Sequence, residues 1–348
     1  YGLPKGRDGG RMLFRSGGES TTVPSARVAR GGAGRVRRAR GSGLRGSRAE
    51  IDALEEVRAA CDGADVAVVV LGGSGRRRYE DEFADNGAVD APAPDTTNGD
   101  GVDLASVALP GAQLDVLRAA RAAAGRVIGV IVDGRPRVLT AVAELVDALL
   151  VVPFPGPHGG EAIADALAGA GVGGGRLPAT FPAADGAMPA AHDERRETAR
   201  GYVDADLGGT LLFGAAVTGV ELTVREDTTE VSVADLRGGA SVRVSVDARN
   251  RTAAEVDVAV PAYGDRQELG GRPRRRQLLS VRRVAVPAGA TVPVAFDLGL
   301  DELGSWASGY PQAVPVSVRV WTEPHRDAPE RATRVRVTDE SGRTPWER

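Results

Sequence analysis

Apolar residues take on a regular spacing near residue 51. Within 47–61, Ile51, Leu54, Val57 and Cys61 recur at helical intervals, with Ser47 in the cap position and Glu50 three residues on, so the spacing predicts a helix. Residues 65–71 are β-branched and apolar on both faces, the pattern of a central parallel strand. The next 38 residues, 72–109, are rich in Gly, Asp, Asn and Pro and show little periodicity; a loop of that length inside a compact domain is usually functional. A second helix is predicted at 113–124, with Leu114, Leu117, Ala120 and Arg121 on one face. A buried strand at 127–132, a helix at 138–146, a strand at 148–152 and a helix at 161–167 follow. This alternation predicts an open, mostly parallel α/β sheet. Ligands of such sheets sit beyond the carboxyl ends of the strands, where the loops are 72–109, 133–136 and 153–160.

After about residue 215 the period falls to two. Residues 242–247, 255–260, 284–286, 292–298 and 314–321 alternate apolar with polar, which predicts an antiparallel β-sandwich. Residues 181–213, with Pro, Asp and Gly throughout, read as a linker or surface strap. The expected layout is a basic Gly/Arg-rich lead-in at 1–33, poorly ordered or a remnant, then an α/β domain at 34–190, a linker at 191–217 and a sandwich at 218–340.

The 348 residues leave room for two cores. At 42% hydrophobic and 26% charged the chain has a globular composition. No apolar run reaches the roughly 18 to 20 residues of a membrane-spanning helix, so no membrane partner is expected. Cys61 is the only cysteine, and His158, His192 and His325 lie far apart; neither a metal nor a cofactor is expected. Aromatic residues, at 4%, disfavour a stacking-based nucleic-acid binder. Residues 1–50 carry twelve Lys/Arg against three Asp/Glu, while the rest carries 32 against 44. A nucleic-acid arm is one reading of that basic stretch; a lead-in or truncated remnant explains it more simply, and no nucleic-acid partner is expected. The chain opens at Tyr1 without a signal-peptide pattern, so its start looks incomplete. One cysteine fits the cytoplasm, and secretion stays open.

The glycines of Leu71-Gly-Gly-Ser-Gly75 are wrongly spaced for a dinucleotide turn, and no helix is predicted to open there. Gly-Xaa-Ser-Xaa-Gly is absent. What remains is acid: the long loop carries Glu80, Asp81, Glu82, Asp85, Asp90, Asp95, Asp100 and Asp103. A carboxyl partly desolvated beside Phe83 or Tyr79 would have a raised pKa and could act as a general acid. On composition alone a solvated acidic loop accounts for the same residues.

The order of several motifs adds to this. ADVAVVVLG at 64–72, YEDEFADNGA at 79–88, GDGVDLASVALPGAQ at 99–113, GRP at 134–136, PGPHGG at 155–160 and GGGRLPATFP at 173–182 follow one another as in the C-terminal half of family-3 glycoside hydrolases, the β-glucosidase and β-xylosidase group. The chain resembles that family over about residues 34–335. The resemblance implies that the sandwich is fibronectin type III-like, with Asn250 at its usual turn. It also implies a retaining two-carboxylate mechanism on β-linked glucosides or xylosides. The nucleophile would then lie on a (β/α)8 barrel, in cis or in trans, that this sequence does not contain. Glu82 carries over as the acid/base, with Glu80 and Asp100 as alternatives; Asp100 stands at the glutamate of the family's GEG. Tyr79, Phe83, Asp103, Arg135 and His158 are the substrate-binding candidates. His158 replaces the glutamate of PGxEGG, and LFGAAVT at 212–218 replaces PFGYGLSYT. The chain alone is expected to be inactive or nearly so. The alternative is a non-catalytic carbohydrate-binding or scaffold module of the same descent.

Overall fold

The computed structural model describes residues 11–14, 35–44, 51–75, 85, 96–99, 102–169, 175–188, 191–193, 203–204, 209–225, 228–266, 274, 276–307, 310–324, 329 and 331–342. The chain divides into two compact units, 1–172 with 181–188, and 173–180 with 189–348.

The first unit holds a five-stranded parallel sheet in the order β2-β1-β3-β4-β5. Its strands are β1 (Arg11–Phe14), β2 (Arg35–Arg38), β3 (Val66–Gly72), β4 (Val127–Asp133) and β5 (Ala148–Pro153). All of β3 is buried, as its two-faced apolar run requires. The helices are α1 (Ile51–Cys61), α2 (Gln113–Ala123), α3 (Thr140–Ala143) and α4 (Gly159–Leu167). Ile163, Ala164 and Leu167 of α4 pack on Val66, Val68, Val70, Val130 and Val132. By the alternation of the pleat, Ala67, Val69 and Leu71 face the other side, where α1 and α2 pack together and α2 covers β3. A short strand β6 (Phe181–Pro182) and a 3₁₀ turn at Asp185–Ala187 complete the unit. They strap it from outside: Thr140 Oγ1 donates to the Ala183 carbonyl at 3.2 Å, and Asp185 Oδ1 accepts from Val107 N at 2.7 Å.

The second unit contains β7 (Gly209–Leu211), β8 (Val220–Val224), β9 (Thr228–Ser232), β10 (Val242–Asn250), β11 (Val256–Gly264), β12 (Gln277–Val286) and β13 (Thr291–Leu298). The ribbon β14 (Ser305–Ala307) and β15 (Tyr310–Gln312) follows, then β16 (Val316–Trp321) and β17 (Thr333–Thr338). Two short helices, α5 (Val233–Arg237) and α6 (Leu300–Leu303), interrupt them. One sheet has the order β13-β10-β8, the other β12-β11-β16-β17-β9. The inward positions of both form one core, with Val244 and Val246 of β10, Val258 and Val260 of β11, Phe296 of β13 and Val318 of β16. Asn250 closes the β10–β11 turn: its amide donates to the Ala254 and Val286 carbonyls, and its Oδ1 accepts from Thr252 N and Oγ1.

The structure departs from the sequence-based expectation in four places. Arg11–Phe14 forms a strand inside the Gly/Arg-rich stretch, because three apolar residues, Met12 to Phe14, suffice for a short parallel neighbour of β2 and β3. The helix expected at 138–146 shrinks to α3, since Val138 is spent on a bridge to Ala108. On α2 the buried face is Gln113, Val116, Leu117, Ala119 and Ala120, with Leu114 only half-buried. Finally, β9 and β17 pair in parallel inside an otherwise antiparallel sheet; the pair joins the two sequence ends of the sandwich, and such pairing leaves no local signal.

Candidate active site

The carboxyl ends of β3, β4 and β5 lie side by side, because the register pairs Gly72 with Val132 and Asp133 with Pro153. At this edge the chain leaves the sheet for the long acidic loop. Gly72 turns it with φ +136°, and a Cβ there would stand 2.0 Å from the Val132 carbonyl oxygen, so only glycine fits. The turn is held by Gln113, which is fully buried at the start of α2. Its Oε1 accepts from Gly72 N at 2.7 Å and its Nε2 donates to Gly72 O at 2.9 Å. The side-chain amide thus replaces a neighbouring strand's backbone and satisfies two groups that burial would otherwise leave unpaired.

The returning end of the loop is fastened to the outgoing one. Thr97 N and Asn98 N donate to the Ser74 carbonyl at 2.8 and 3.1 Å. Ser74 N in turn donates to Thr97 Oγ1 at 2.9 Å. The returning end then rests on Asp133, the last residue of β4, while Gly73 N of the outgoing end donates to the Val132 carbonyl beside it. Asp133 Oδ1 accepts from Asn98 Nδ2 at 2.9 Å and from Arg135 N at 3.0 Å, while Oδ2 accepts from Arg137 Nε at 2.7 Å. The Asp133 and Arg137 side chains are 2% and 0% exposed, so the ion pair is dry and depends on its hydrogen bonds to offset desolvation. A Cβ on Gly73 would fall within 2.6 Å of Thr97 Oγ1, Asn98 Nδ2 and Asp133 Oδ2, which explains the second glycine. Arg135 spans the returning stem, with Nε donating to Asn98 Oδ1 at 3.1 Å and Nη2 to the Val102 carbonyl.

Of the residues singled out in the sequence, Arg135 lies within this network. Asp103 is exposed, just past the returning stem. His158 precedes α4 at the carboxyl edge with a side chain 88% exposed, its Nδ1 3.6 Å from Glu161 Oε2. Glu80, Glu82 and Asp100, with Tyr79 and Phe83, lie outside the described residues. The structure brings forward Thr97, Asn98, Gln113, Asp133 and Arg137, which pattern reading passed over. Two signals for them exist: Gln113 is a polar residue on the apolar face of α2, and Asp133 ends a buried strand. Among the described residues no group of three His, Cys, Asp or Glu side chains could hold a metal ion.

A parallel α/β unit with a long acidic loop rooted at its carboxyl edge, followed by a β-sandwich, places the chain in the open-sheet class with an appended all-β unit. Residues 15–218 match the glycosyl hydrolase family 3 C-terminal domain. The chain belongs to that family. It is 28% identical over 212 residues to a β-xylosidase of Formosa agariphila, covering 60% of this chain and 29% of that protein. It is 26% identical over 266 residues to a periplasmic β-glucosidase of Salmonella typhimurium, covering 73% and 32%. The fold is similar to that of a β-glucosidase from Listeria innocua solved with gluconolactone, with TM-score 0.77 at 20% identity over 96% of this chain and 46% of that one. The chain therefore spans about a third of the length of the curated relatives and under half of the solved one.

Proposed function

We propose that this chain supplies the acid/base half of a retaining β-glycosidase acting on β-linked glucosides or xylosides, the nucleophile being carried by a (β/α)8 barrel in cis or in trans. The observation that carries the reading is the double anchoring of the acidic loop at the carboxyl edge by Gln113, Asn98 and Asp133. A general acid must meet a fixed leaving oxygen, so the loop that bears it needs fixed ends. Glu82 is assigned as the acid/base, with Glu80 and Asp100 as alternatives, and Tyr79, Phe83, Asp103, Arg135 and His158 as the surrounding substrate contacts. The same reading makes 34–190, together with β1, the family's α/β domain, 191–217 a linker and 218–340 a fibronectin type III-like sandwich.

The test is hydrolysis of aryl β-glucosides and β-xylosides by the chain, alone and mixed with the barrel half of a family-3 relative, beside its Glu82→Gln variant. The chain alone should give little or no turnover, because one carboxyl group cannot complete a two-carboxylate mechanism. With the barrel, turnover should appear and fall by about 10²- to 10⁴-fold in Glu82→Gln. Loss in Glu80→Gln or Asp100→Asn instead would move the role to that residue. Turnover by the chain alone at whole-enzyme rates would overturn the missing-nucleophile account. A second reading, a non-catalytic carbohydrate-binding or scaffold module, is favoured by the exposed His158 at the glutamate of PGxEGG. Saturable sugar binding without turnover in any mixture would support it.

A further inference from the structure

Part of the outer face of the larger sandwich sheet is dry. Val316, Val318 and Val320 of β16 belong to the core, so the alternation of the pleat turns Trp321 outward, beside Tyr263 of β11, its register partner. Both are nonetheless buried, at 1% and 0% exposure. Stretches of the second unit that precede β8 in the chain cover them. Arg176 donates from Nε to the Ala259 carbonyl at 2.7 Å and from Nη1 to the Gly214 carbonyl at 2.8 Å. Gly214, with φ +82°, lies so close that a Cβ would stand 1.8 Å from Tyr263 Oη. The Phe213 ring meets Tyr263 edge-on at 6.4 Å, and the His192 imidazole lies 4.5 Å from the Phe213 ring.

Arginines hold the backbone of that last residue. Arg276, 2% exposed and 5.4 Å over the Tyr263 ring, donates from Nε to the His192 carbonyl at 3.2 Å. Arg274 donates from Nη1 to the Asp193 carbonyl at 3.4 Å and to Asp193 Oδ2. The same two guanidiniums act on the His192 side chain. Asp193 Oδ1 lies 4.0 Å from His192 Nδ1, but Oδ2 of that carboxylate already pairs with Arg274. Burial above all holds the imidazole below its ordinary 6.5, with Asp193 pulling the other way and Arg276 and Arg274 adding to the effect of burial. A lowered folded pKa gives a contribution intact above the ordinary value and lost as pH falls through the folded one. Arg176 and Glu323, 3.9 Å apart, are further charged groups beside Tyr263.

We propose that His192 is an acid-sensitive latch. Protonated, it pushes on the two arginines that hold its own backbone, and it loosens residues 191–193 and 212–215 from the outer face of the sheet. The repulsion is poorly screened because Arg276 is out of water.

The test is amide hydrogen exchange over residues 209–218 of the full chain, followed by mass spectrometry beside His192→Gln, at about pH 8 and about pH 5. Comparing the two proteins at the same pH cancels the intrinsic pH dependence of exchange and any contribution from Glu323, which both retain. From the higher pH to the lower, the rate ratio of wild type to variant should rise about threefold or more. NMR titration of the three histidines should place His192 below 6.5, with its midpoint coinciding with the rise in wild-type exchange. That titration needs no variant, and it decides the matter if circular dichroism shows His192→Gln to be unfolded. A flat ratio, or exchange that accelerates away from the His192 titration, would overturn the latch. So would a His192 pKa at or above 6.5, the outcome if Asp193 or the Phe213 ring face dominates.

Discussion

The carboxyl edge of the parallel sheet and the interior of the β-sandwich bury side chains of opposite character. Among the described residues of the first unit, the buried polar side chains are Thr96, Thr97, Asn98, Gln113, Asp133 and Arg137, and all of them stand at the edge from which the acidic loop departs. In the sandwich, buried polar residues such as Thr218, Asn250, Ser305 and Thr333 are spread along the chain, around a core made mostly of valine. Apolar burial stabilises without specifying direction. A satisfied polar network adds little net stability but defines one geometry. The first unit concentrates that kind of contact where a loop must be aimed, and the sandwich uses it turn by turn.

The sharpest way to break this comparison is Arg137→Met, which leaves Asp133 charged and buried. It should cost about 3–5 kcal/mol, measured by chemical denaturation. The paired Asp133→Leu/Arg137→Met change should recover part of the loss, though Asn98 and Arg135 N would still lack their acceptor. A single-variant cost under about 1 kcal/mol, the range of exposed pairs, would show that the pair is wet and the contrast false. The nearest analogue in the sandwich is Asn250→Ala, which strips partners from the Val286 and Ala254 carbonyls. Its cost should be about 1–3 kcal/mol, with no change in tryptic cleavage at Arg76, Arg77 or Arg78 of the acidic loop. Accelerated cleavage there would mean that the two regions are not independent.

The smallest effect is expected at the amino edge of the same sheet, where Asp147 tests whether polar anchoring matters equally at both ends. Its Oδ2 accepts from Val127 N at 2.7 Å and Arg121 Nη1 at 2.6 Å. The Val127 amide above all, with Arg121 beside it, holds the carboxyl below the ordinary carboxylate range against a smaller desolvation effect. A lowered folded pKa gives a contribution present above the unfolded value and lost as pH falls through the folded one. The side chain is 47% exposed, so Asp147→Asn should cost less than about 1 kcal/mol at pH 7. The gap should close in acid. A gap that is unchanged across that range would show that the carboxylate charge contributes nothing.

Much of the first unit was legible in the order of residues. The runs that became β3, β4 and β5 were readable to within a residue or two, because a strand buried on both faces admits little but apolar side chains. The sandwich strands β10, β11, β13 and β16 were visible as alternation, for the complementary reason that one face is wet. The helix α3 was overdrawn, because the bridge from Val138 to Ala108 lies outside any local window. Gln113 looked like the end of a motif, whereas its work is to pair with Gly72, 41 residues away. Asn98 looked like loop, yet its amide meets Asp133 across 35 residues.

The sequence by itself determined which segments are strands and helices, the change of period near residue 215, the acid-rich loop and the family. Each of these is a property of neighbouring residues, set by side-chain spacing and by which faces can tolerate water. Only the tertiary structure decided that Gln113, Asn98, Asp133 and Arg137 form one fastening at the root of that loop. Such contacts arise from strand register and from the close approach of backbones, which bring together residues whose separation along the chain carries no signal of their meeting.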